Sequence, residues 1–550
     1  MNKWERAAGR PTIMAPNAMV VTPHYLASQG ALQVLENGGN AAEAAIAAAA
    51  VISVVYPHMN AIGGDNFWLL YDAKTKQLKA LNASGRSGEK ANIECYKALG
   101  FSKIPSRGYL AANTVPGVIS GWWEIYNYSQ IHMNSNMPWA TLLEKSINYA
   151  ENGFSVTPSQ EYYTRVNIAK EDNEFRNLGR FDGFKKTFLK ADGNIYQTGE
   201  LFKQKDLAKT LKIIAQKGAD GFYKGEIAEK IVSDLKKNGG VLALEDFACH
   251  RADWVESIST DYRGFTAYNF PPNTQGMASL SILNILTNFD LTSMGEGSTD
   301  YYHVLIEATK QAFTDRDKWL TDPAFVKIPV DSLLSKEHGA KLAARIDLQK
   351  AKTEVNPLDP KGDTIWIGVV DKAGNAVSLI QSIYHDYGSG IVAKDTGVLL
   401  QNRGSFFSLD PNHINHLEPR KRTFHTLNPA MLFKDKQPYL VYGTMGGEGQ
   451  PQTQAAIVTR IIDFNFNVQA AIEAPRWLLG RTWGASSNDL KIESRVPQTV
   501  VDELLKRGHP VKVVADYSDI MGHAGAILIT PNNIKYGGAD PRGDGTAVGY

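Results

Sequence analysis

The residues most able to carry chemistry form a glycine-rich turn at 443–449, with the sequence GTMGGEG. A strand-like run (QPYLVYG) leads into the turn, and a helical pattern follows from about Gln452. The turn lacks the Lys-Ser/Thr pair of a P-loop and does not fit the G-x-G-x-x-G spacing of dinucleotide folds. It offers backbone N–H groups at a helix N-terminus, which can bind a phosphate, a carboxylate or a developing oxyanion. The alternative is a tight turn without a ligand.

Two pairs of residues have spacings that can hold a metal ion. His303 and Glu307 are four residues apart on a helix predicted over 301–319, but no third ligand is spaced to help them. We therefore interpret the pair as a hydrogen bond on the helix surface. His413 and His416 fall in a loop rich in Pro and Asn, where metal binding is not favoured. We expect neither a metal nor another cofactor.

The elements that must position the glycine-rich turn are a mixture of hairpin strands and helices. Residues 364–371 (TIWIGVVD) and 376–384 (AVSLIQSIY) are strand-like, and the Lys-Ala-Gly-Asn between them is typical of a hairpin turn. Asn40 and Glu43 can form a capping box for an alanine-rich helix, too weakly apolar to span a membrane and therefore predicted to be buried. Further helices are predicted at 26–36, 141–151, 205–217 and 228–237. This mixture indicates a layered α/β fold with largely antiparallel sheets.

Composition excludes several classes of protein. Lys plus Arg total 58 and Asp plus Glu total 57, so the basic excess expected of a nucleic-acid-binding protein is absent. The short run Arg420-Lys421-Arg422 is predicted to be a solvated loop. Two cysteines cannot build a disulfide framework and favour a reducing compartment. The first 16 residues lack the apolar core of a signal peptide. We expect a cytoplasmic protein with no nucleic-acid or membrane partner.

Ordered blocks of residues along nearly the whole chain resemble the γ-glutamyltransferase family of N-terminal-nucleophile hydrolases. The blocks are Leu26-Ala27-Ser28-Gln29, residues 39–45 (GNAAEAA), Gly63-Gly64, Val115-Pro116-Gly117, Trp254 with Tyr262-Arg263-Gly264, Glu307-Ala308, Asp315-Arg316, Asp322-Pro323, Gly362-Asp363-Thr364, Lys421-Arg422, Gly446-Gly447, Asp540-Pro541-Arg542 and Gly549-Tyr550. With the mixed pattern of strands and helices, the resemblance implies a four-layer αββα sandwich.

The most informative block is Gly362-Asp363-Thr364, where the family cuts its precursor before the threonine. The resemblance implies a large fragment, 1–363, and a small fragment, 364–550, joined as a heterodimer, with a dimer of heterodimers left open. A threonine hydroxyl needs a nearby base to act as a nucleophile. The α-amino group freed at Thr364 can be that base, because its pKa of about 7.7–8.0 leaves a usable neutral fraction near neutral pH.

The resemblance assigns four further residues to the site. Ser382 stands where the family has a hydroxyl residue that supports the nucleophile. Gly446 and Gly447 match the pair whose N–H groups form the oxyanion hole. Arg86 matches the arginine that binds the substrate carboxylate, for which a guanidinium offers a bidentate fork.

The chain departs from the family pattern where the substrate's α-ammonium would bind. The family motif T-L-N reads Ser-Ile-Tyr here and ends at Tyr384. Its N-N-Q-M-D-D-F-S motif has become QNRGSFFS, which puts Arg403 and Phe406 in place of a Gln and an Asp. Its paired serines are His425 and Thr426. An ammonium beside Arg403 and Phe406 would lack a partner and be repelled, at a cost of about several kcal/mol.

These changes predict a small anionic substrate without an amino group. The pattern resembles the oxamate amidohydrolase branch, which converts oxamate to oxalate and ammonia, and we expect Arg403 to lie beside Arg86, with His425 near. Other monoamides of dicarboxylic acids and glutaryl amides also fit. Two alternatives stay open: a γ-glutamyltransferase or glutathione hydrolase that holds the ammonium differently, and a pseudoenzyme or binding protein that is never cut.

Overall fold

Two large antiparallel sheets form the centre of the protein. The computed structural model describes residues 9–133, 135, 137–169, 176–352, 363–480 and 489–550. Within these ranges one seven-stranded sheet has the order β19-β2-β10-β11-β3-β4-β7, and the other has the order β1-β18-β17-β13-β12-β9-β8. We name them the β10 sheet and the β13 sheet. Their strands and those of two small sheets are β1 (Ile13–Ala15), β2 (Met19–Thr22), β3 (Asp65–Asp72), β4 (Gln77–Ala83), β5 (Phe154–Ser155), β6 (Leu201–Phe202), β7 (Asp253–Val255), β8 (Ile258–Tyr262), β9 (Phe265–Asn269), β10 (Asp363–Val370), β11 (Ala376–Tyr384), β12 (Ala430–Lys434), β13 (Gln437–Thr444), β14 (Trp477–Leu479), β15 (Leu490–Glu493), β16 (Val511–Val514), β17 (Ala524–Ile529), β18 (Lys535–Ala539) and β19 (Thr546–Gly549).

Helices cover the outer faces of both large sheets. Their bounds are α1 (Tyr25–Glu36), α2 (Ala41–Val55), α3 (Ile93–Ala98), α4 (Val118–His132), α5 (Trp139–Asn152), α6 (Pro158–Asn167), α7 (Asp182–Phe188), α8 (Lys205–Lys217), α9 (Asp220–Tyr223), α10 (Glu226–Lys237), α11 (Leu244–Cys249), α12 (Gly276–Leu286), α13 (Leu291–Met294), α14 (Thr299–Trp319), α15 (Val330–Leu333), α16 (Lys336–Ala343), α17 (Gly449–Ile462), α18 (Val468–Glu473) and α19 (Gln498–Lys506). None of these described helices is long and apolar enough to cross a membrane.

The apolar core falls into layers because strand residues alternate between the two faces of a sheet. Trp366 on β10 and Val441 on β13 belong to the cluster between the sheets. Ile365, the neighbour of Trp366, belongs instead to the cluster that the β10 sheet makes with α1 and α2. On the opposite side, Leu440 of β13 belongs to the cluster that contains residues of α12, α14 and α17. The predicted αββα sandwich is therefore confirmed.

Strands from the two sides of the proposed cleavage site are interleaved in both sheets. In the β10 sheet, β2 lies between β19 and β10, and β11 lies beside β3. In the β13 sheet, β1 pairs with β18, and β12 pairs with β9. The chain before residue 363 and the chain after it consequently build one sandwich together.

Local sequence signals predicted several elements correctly. Asn40 and Glu43 form the expected capping box at the start of α2, and every residue of α2 is buried. β10 and β11 form the expected hairpin, and its turn is closed by the Asn375 N–H donating to the Asp371 carboxylate at 2.9 Å. α17 begins at Gly449, three residues before the expected start, and follows the glycine-rich turn directly.

Candidate active site

Thr364 lies at the start of a central strand of the β10 sheet. It is fully buried, while Gly362 lies outside the described residues. Because side chains alternate along a strand, Thr364 shares the inter-sheet face with Trp366. The Trp366 ring fills space left by a glycine of β13, since a Cβ at Gly443 would lie only 2.2 Å from Trp366 Cδ1. The start of β10 therefore lies opposite the end of β13.

Three polar residues stand at the same end of three neighbouring strands. Asp65 on β3 pairs with Ser382 on β11. The register between β10 and β11 shifts between Asp363 and Ile365, which leaves Thr364 opposite Ser382 and Ile383. Neighbouring strands are about 4.8 Å apart. Thr364, Ser382 and Asp65 consequently form a buried row along the end of the β10 sheet.

The glycine-rich turn faces this row from the β13 sheet. β13 ends at Thr444, and the turn continues directly into α17. Gly446 and Gly447 have φ values of 127° and 52°, in the left-handed region that glycine adopts without strain. β10 packs on β13 across the two sheets. The structure thus brings Thr364, Ser382 and the two glycines to one end of the sandwich.

Arg403 is a buried cation with unused hydrogen-bond donors. It is 1% exposed, and its Nη1 donates to Thr426 Oγ1 at 3.3 Å. Its Nε and Nη2 have no hydrogen-bond partner among the described residues. Burial lowers the pKa of Arg403 to about 10, which leaves it charged at neutral pH. Two open donors on a buried guanidinium fit an anion with two oxygen atoms, such as a carboxylate.

Aromatic rings hold the Arg403 guanidinium from one side. Its Cζ lies 4.2 Å from the centre of the Tyr384 ring, and Phe406 stacks on Tyr384 at 4.9 Å. Tyr384 has a φ of 82°, where a bulky residue is strained, and its N–H donates to Ser382 Oγ at 2.8 Å. Such strain costs about 1–3 kcal/mol and occurs most often at functional sites. Ser382 and Tyr384 thereby connect the row of polar residues to Arg403.

Asp65 was not identified from the sequence as a site residue. Its Oδ1 accepts hydrogen bonds from the Gly85 N–H and the Gln401 amide, both at 2.9 Å, and His425 Nε2 lies 3.2 Å from its Oδ2. Burial raises the pKa of Asp65 to about 6 against these bonds. Burial, followed by the charge of Arg403, holds the pKa of His425 well below its usual range. His425 is therefore neutral and Asp65 already has three partners.

Arg86 forms an ion pair with Asp253. Its side chain is 35% exposed and its Nη2 binds Asp253 Oδ2 at 2.7 Å. Arg422 binds the same oxygen at 2.7 Å. The expected placement of Arg86 beside Arg403 is not among the contacts between described residues.

The residues 420–422 are only partly the solvated loop predicted from sequence. Arg420 is exposed, but Lys421 and Arg422 are buried, so the prediction is wrong for those two. Arg422 is held because its Nε donates to the Ser84 carbonyl at 3.0 Å and its N–H donates to Asp322. Its Nη2 has no partner among the described residues.

The pair on α14 is buried and has the third neighbour that sequence spacing did not reveal. His303 Nδ1 lies 2.8 Å from His509 Nε2, and these atoms lie within 4.8 Å of a Glu307 oxygen. The predicted surface hydrogen bond is therefore wrong. Lys310 Nζ binds Glu307 at 2.7 Å and neutralises it, so a divalent cation would leave two uncompensated positive charges in the core. This balance favours a hydrogen-bonded network over a metal site.

Comparison with known proteins identifies enzymes that are related to this chain. A family model described as gamma-glutamyltranspeptidase matches residues 27–550. The glutathione hydrolase-like YwrD proenzyme of Bacillus subtilis is 47% identical over 98% of this chain and 99% of its own. The oxamate amidohydrolase proenzyme of Klebsiella pneumoniae is 44% identical with the same coverage. The crystal structure of a cephalosporin acylase from Bacillus halodurans is 37% identical, covers 100% of this chain and 98% of its own, and has a TM-score of 0.88.

Proposed function

Because this chain belongs to the γ-glutamyltranspeptidase family, and because its relatives include an amidohydrolase and an acylase, we propose that Thr364 is its nucleophile. The chain is made as one precursor, and Thr364 Oγ attacks the Asp363 carbonyl carbon. The C–N bond breaks as the C–O bond forms, which leaves an ester and a free α-amino group. Water then hydrolyses the ester. The products are 1–363 and 364–550, which remain together as a heterodimer because their strands are interleaved.

The same hydroxyl then carries the reaction on the substrate. The neutral α-amine of Thr364 takes the hydroxyl proton as Oγ bonds to the amide carbon. The N–H groups of Gly446 and Gly447 stabilise the oxyanion, a contribution worth roughly 2.7–4 kcal/mol per donor. The amide C–N bond breaks, the amine carries the proton to the leaving nitrogen, and ammonia departs. Water attacks the ester, releases the acid and regenerates Thr364.

The substrate is a small amide that carries a carboxylate, and our best candidate is oxamate. The observation that supports this assignment is the pair of unpartnered donors on buried Arg403. A carboxylate beside Arg403 would accept hydrogen bonds from both Nε and Nη2. Thr426, which already contacts Arg403 at 3.3 Å, closes one side of this anion site. The Arg403 subsite lies next to Tyr384 and hence to the row that contains Thr364, which suits a carboxylate adjoining the reacting carbon.

Among the described residues, the side chains that contact the Arg403 guanidinium offer an α-ammonium group no carboxylate. Tyr384 and Phe406 present rings, and Arg403 presents a positive charge. Asp65, a buried carboxylate whose charge acts on Arg403, already accepts or shares hydrogen bonds with Gly85, Gln401 and His425. This arrangement supports oxamate over a γ-glutamyl donor, although relatives of both kinds are similar to this chain.

Two measurements, made one after the other, test the proposal. Purified protein should give two bands on a denaturing gel, and the smaller band should begin Thr-Ile-Trp-Ile, whereas Thr364→Ala should stay whole. One intact band from the wild type, or a different first residue, contradicts the assigned nucleophile. The cleaved enzyme is then compared on oxamate and on a γ-glutamyl anilide by kcat/KM. A preference for the anilide would make the protein a γ-glutamyltransferase or glutathione hydrolase.

A further inference from the structure

Gln275 connects the two halves of the proposed site through a single buried amide. It precedes α12 and is fully buried. Its Nε2 donates to the Gly447 carbonyl and to the Thr426 carbonyl, both at 2.8 Å. Gly447 belongs to the proposed oxyanion hole, and Thr426 is the hydrogen-bond partner of Arg403. Gln275 therefore bridges the glycine-rich turn and the anion site.

Arg316 fixes which way the Gln275 amide points. Arg316 Nη1 donates to Gln275 Oε1 at 3.1 Å, and its Nη2 donates to Glu448 at 2.9 Å. A guanidinium has no acceptor, so Gln275 must turn its oxygen toward Arg316 and its NH₂ group toward the two carbonyls. Arg316 itself is 1% exposed and lies 3.9 Å over the Phe313 ring, which limits its movement.

The bond from Gln275 also restrains the peptide that follows Gly447 in the turn. The C=O and N–H of a trans peptide point in opposite directions. The Gly446 carbonyl accepts from the Gly449 N–H at 2.8 Å, which turns the Gly447 N–H away from α17. The Gly447 carbonyl accepts from Gln275 Nε2 at 2.8 Å and from the Gln450 N–H at 3.3 Å, so the peptides on both sides of Gly447 are held. Glycines at positive φ have no side chain to hold them, and these three bonds supply that restraint, of which the bond from Gln275 is the one made by a side chain.

We propose that Gln275, oriented by Arg316, is a positioning residue that sets the spacing between the oxyanion turn at Gly446-Gly447 and the anion site at Arg403. This role rests on the proposed function. In oxamate the carboxylate adjoins the reacting carbon, so the two subsites must stand at one fixed separation. Gln275 acts on both through backbone carbonyls and does not contact the substrate.

Gln275→Glu is the most selective test, because it keeps an oxygen for Arg316 and removes the donor to both carbonyls. We expect the kcat for oxamate to fall roughly 10- to 100-fold, the usual effect of misplacing reacting groups by about 1 Å. The Kd of oxalate, measured by calorimetry, should change by less than about threefold, because Arg403 remains. Arg316→Lys, which keeps the charge and loses the fork, should lower kcat in the same direction.

Gln454→Glu is the matched control. Gln454 is also a buried glutamine whose Nε2 donates to a backbone carbonyl, that of Asn428, at 2.7 Å. It should retain the wild-type ratio of kcat to oxalate affinity. The inference is overturned if Gln275→Glu and Arg316→Lys both keep the wild-type kcat, or if Gln454→Glu loses as much. Failure of the proposed function appears instead in the wild type, as an uncut chain or as no ammonia from oxamate.

Discussion

Replacing Arg403 with methionine should separate binding from stability. A carboxylate on Nε and Nη2 gains two charge-assisted hydrogen bonds, each worth about 1.5–3 kcal/mol. Their loss corresponds to about 3–6 kcal/mol, or a fall of roughly 10²- to 10⁴-fold in kcat/KM for oxamate. The chain should still be cut, because the role that we propose for Arg403 is to bind the substrate anion and not to take part in cleavage at Thr364.

The thermal stability of Arg403→Met should not fall with its activity. Among the described residues, Arg403 has one hydrogen bond, at 3.3 Å, with the Tyr384 ring and the Asp65 charge, to offset the cost of burying its own charge. Methionine removes that cost, which amounts to about several kcal/mol per buried ion. The melting temperature of Arg403→Met should therefore equal or exceed that of the wild type.

Arg460→Met provides the matched comparison. Arg460 is equally buried, but its Nε donates to Glu296 at 2.9 Å and its Nη2 donates to the Pro475 carbonyl at 2.6 Å. Removing a buried cation with such partners costs about 3–5 kcal/mol, so its melting temperature should fall. Thermal unfolding and ammonia release from oxamate measure both quantities. The reasoning is refuted if Arg403→Met melts as early as Arg460→Met while oxamate turnover persists.

Two further changes test the surroundings of the site. Because burial raises the pKa of Asp65 to about 6, its carboxyl is neutral below that pH and anionic above it. The Kd of oxalate should therefore rise roughly tenfold as the pH passes 6, since the Asp65 carboxylate and oxalate carry charges of the same sign, and calorimetry on Asp65→Asn should show no such step. Gly443→Ala should lower the free energy of unfolding by about 1–3 kcal/mol and slow chain cleavage, because the new Cβ would displace Trp366. Gly179→Ala, whose Cβ meets nothing within 4 Å, should do neither in the same denaturation and gel assays.

Local patterns in the sequence were sufficient for many elements and for few of the site's contacts. The capping box at Asn40 and the hairpin between β10 and β11 depend on neighbouring residues, so their signals are local. The bond between Asp65 and His425 joins residues 360 positions apart, and no periodicity reveals it. Gln275 belongs to no recognised sequence motif. Its proposed role follows from the hydrogen bond that joins it, just before α12, to the glycine-rich turn. Such contacts depend on strand order, which local signals do not determine.

The interleaved strands have a consequence for how the protein can be recovered after denaturation. When an uncut chain refolds, β2 pairs with β10 and β9 pairs with β12 within one polypeptide. If the proposed cleavage separates Asp363 from Thr364, the same pairings require an encounter between two polypeptides, because the peptide bond no longer keeps the two parts at a high effective concentration. Unfolding of the mature enzyme should thus be hysteretic, with a refolding yield that rises with protein concentration, while Thr364→Ala refolds independently of it. The lifetime of the mature enzyme is then governed by its unfolding rate rather than by an equilibrium.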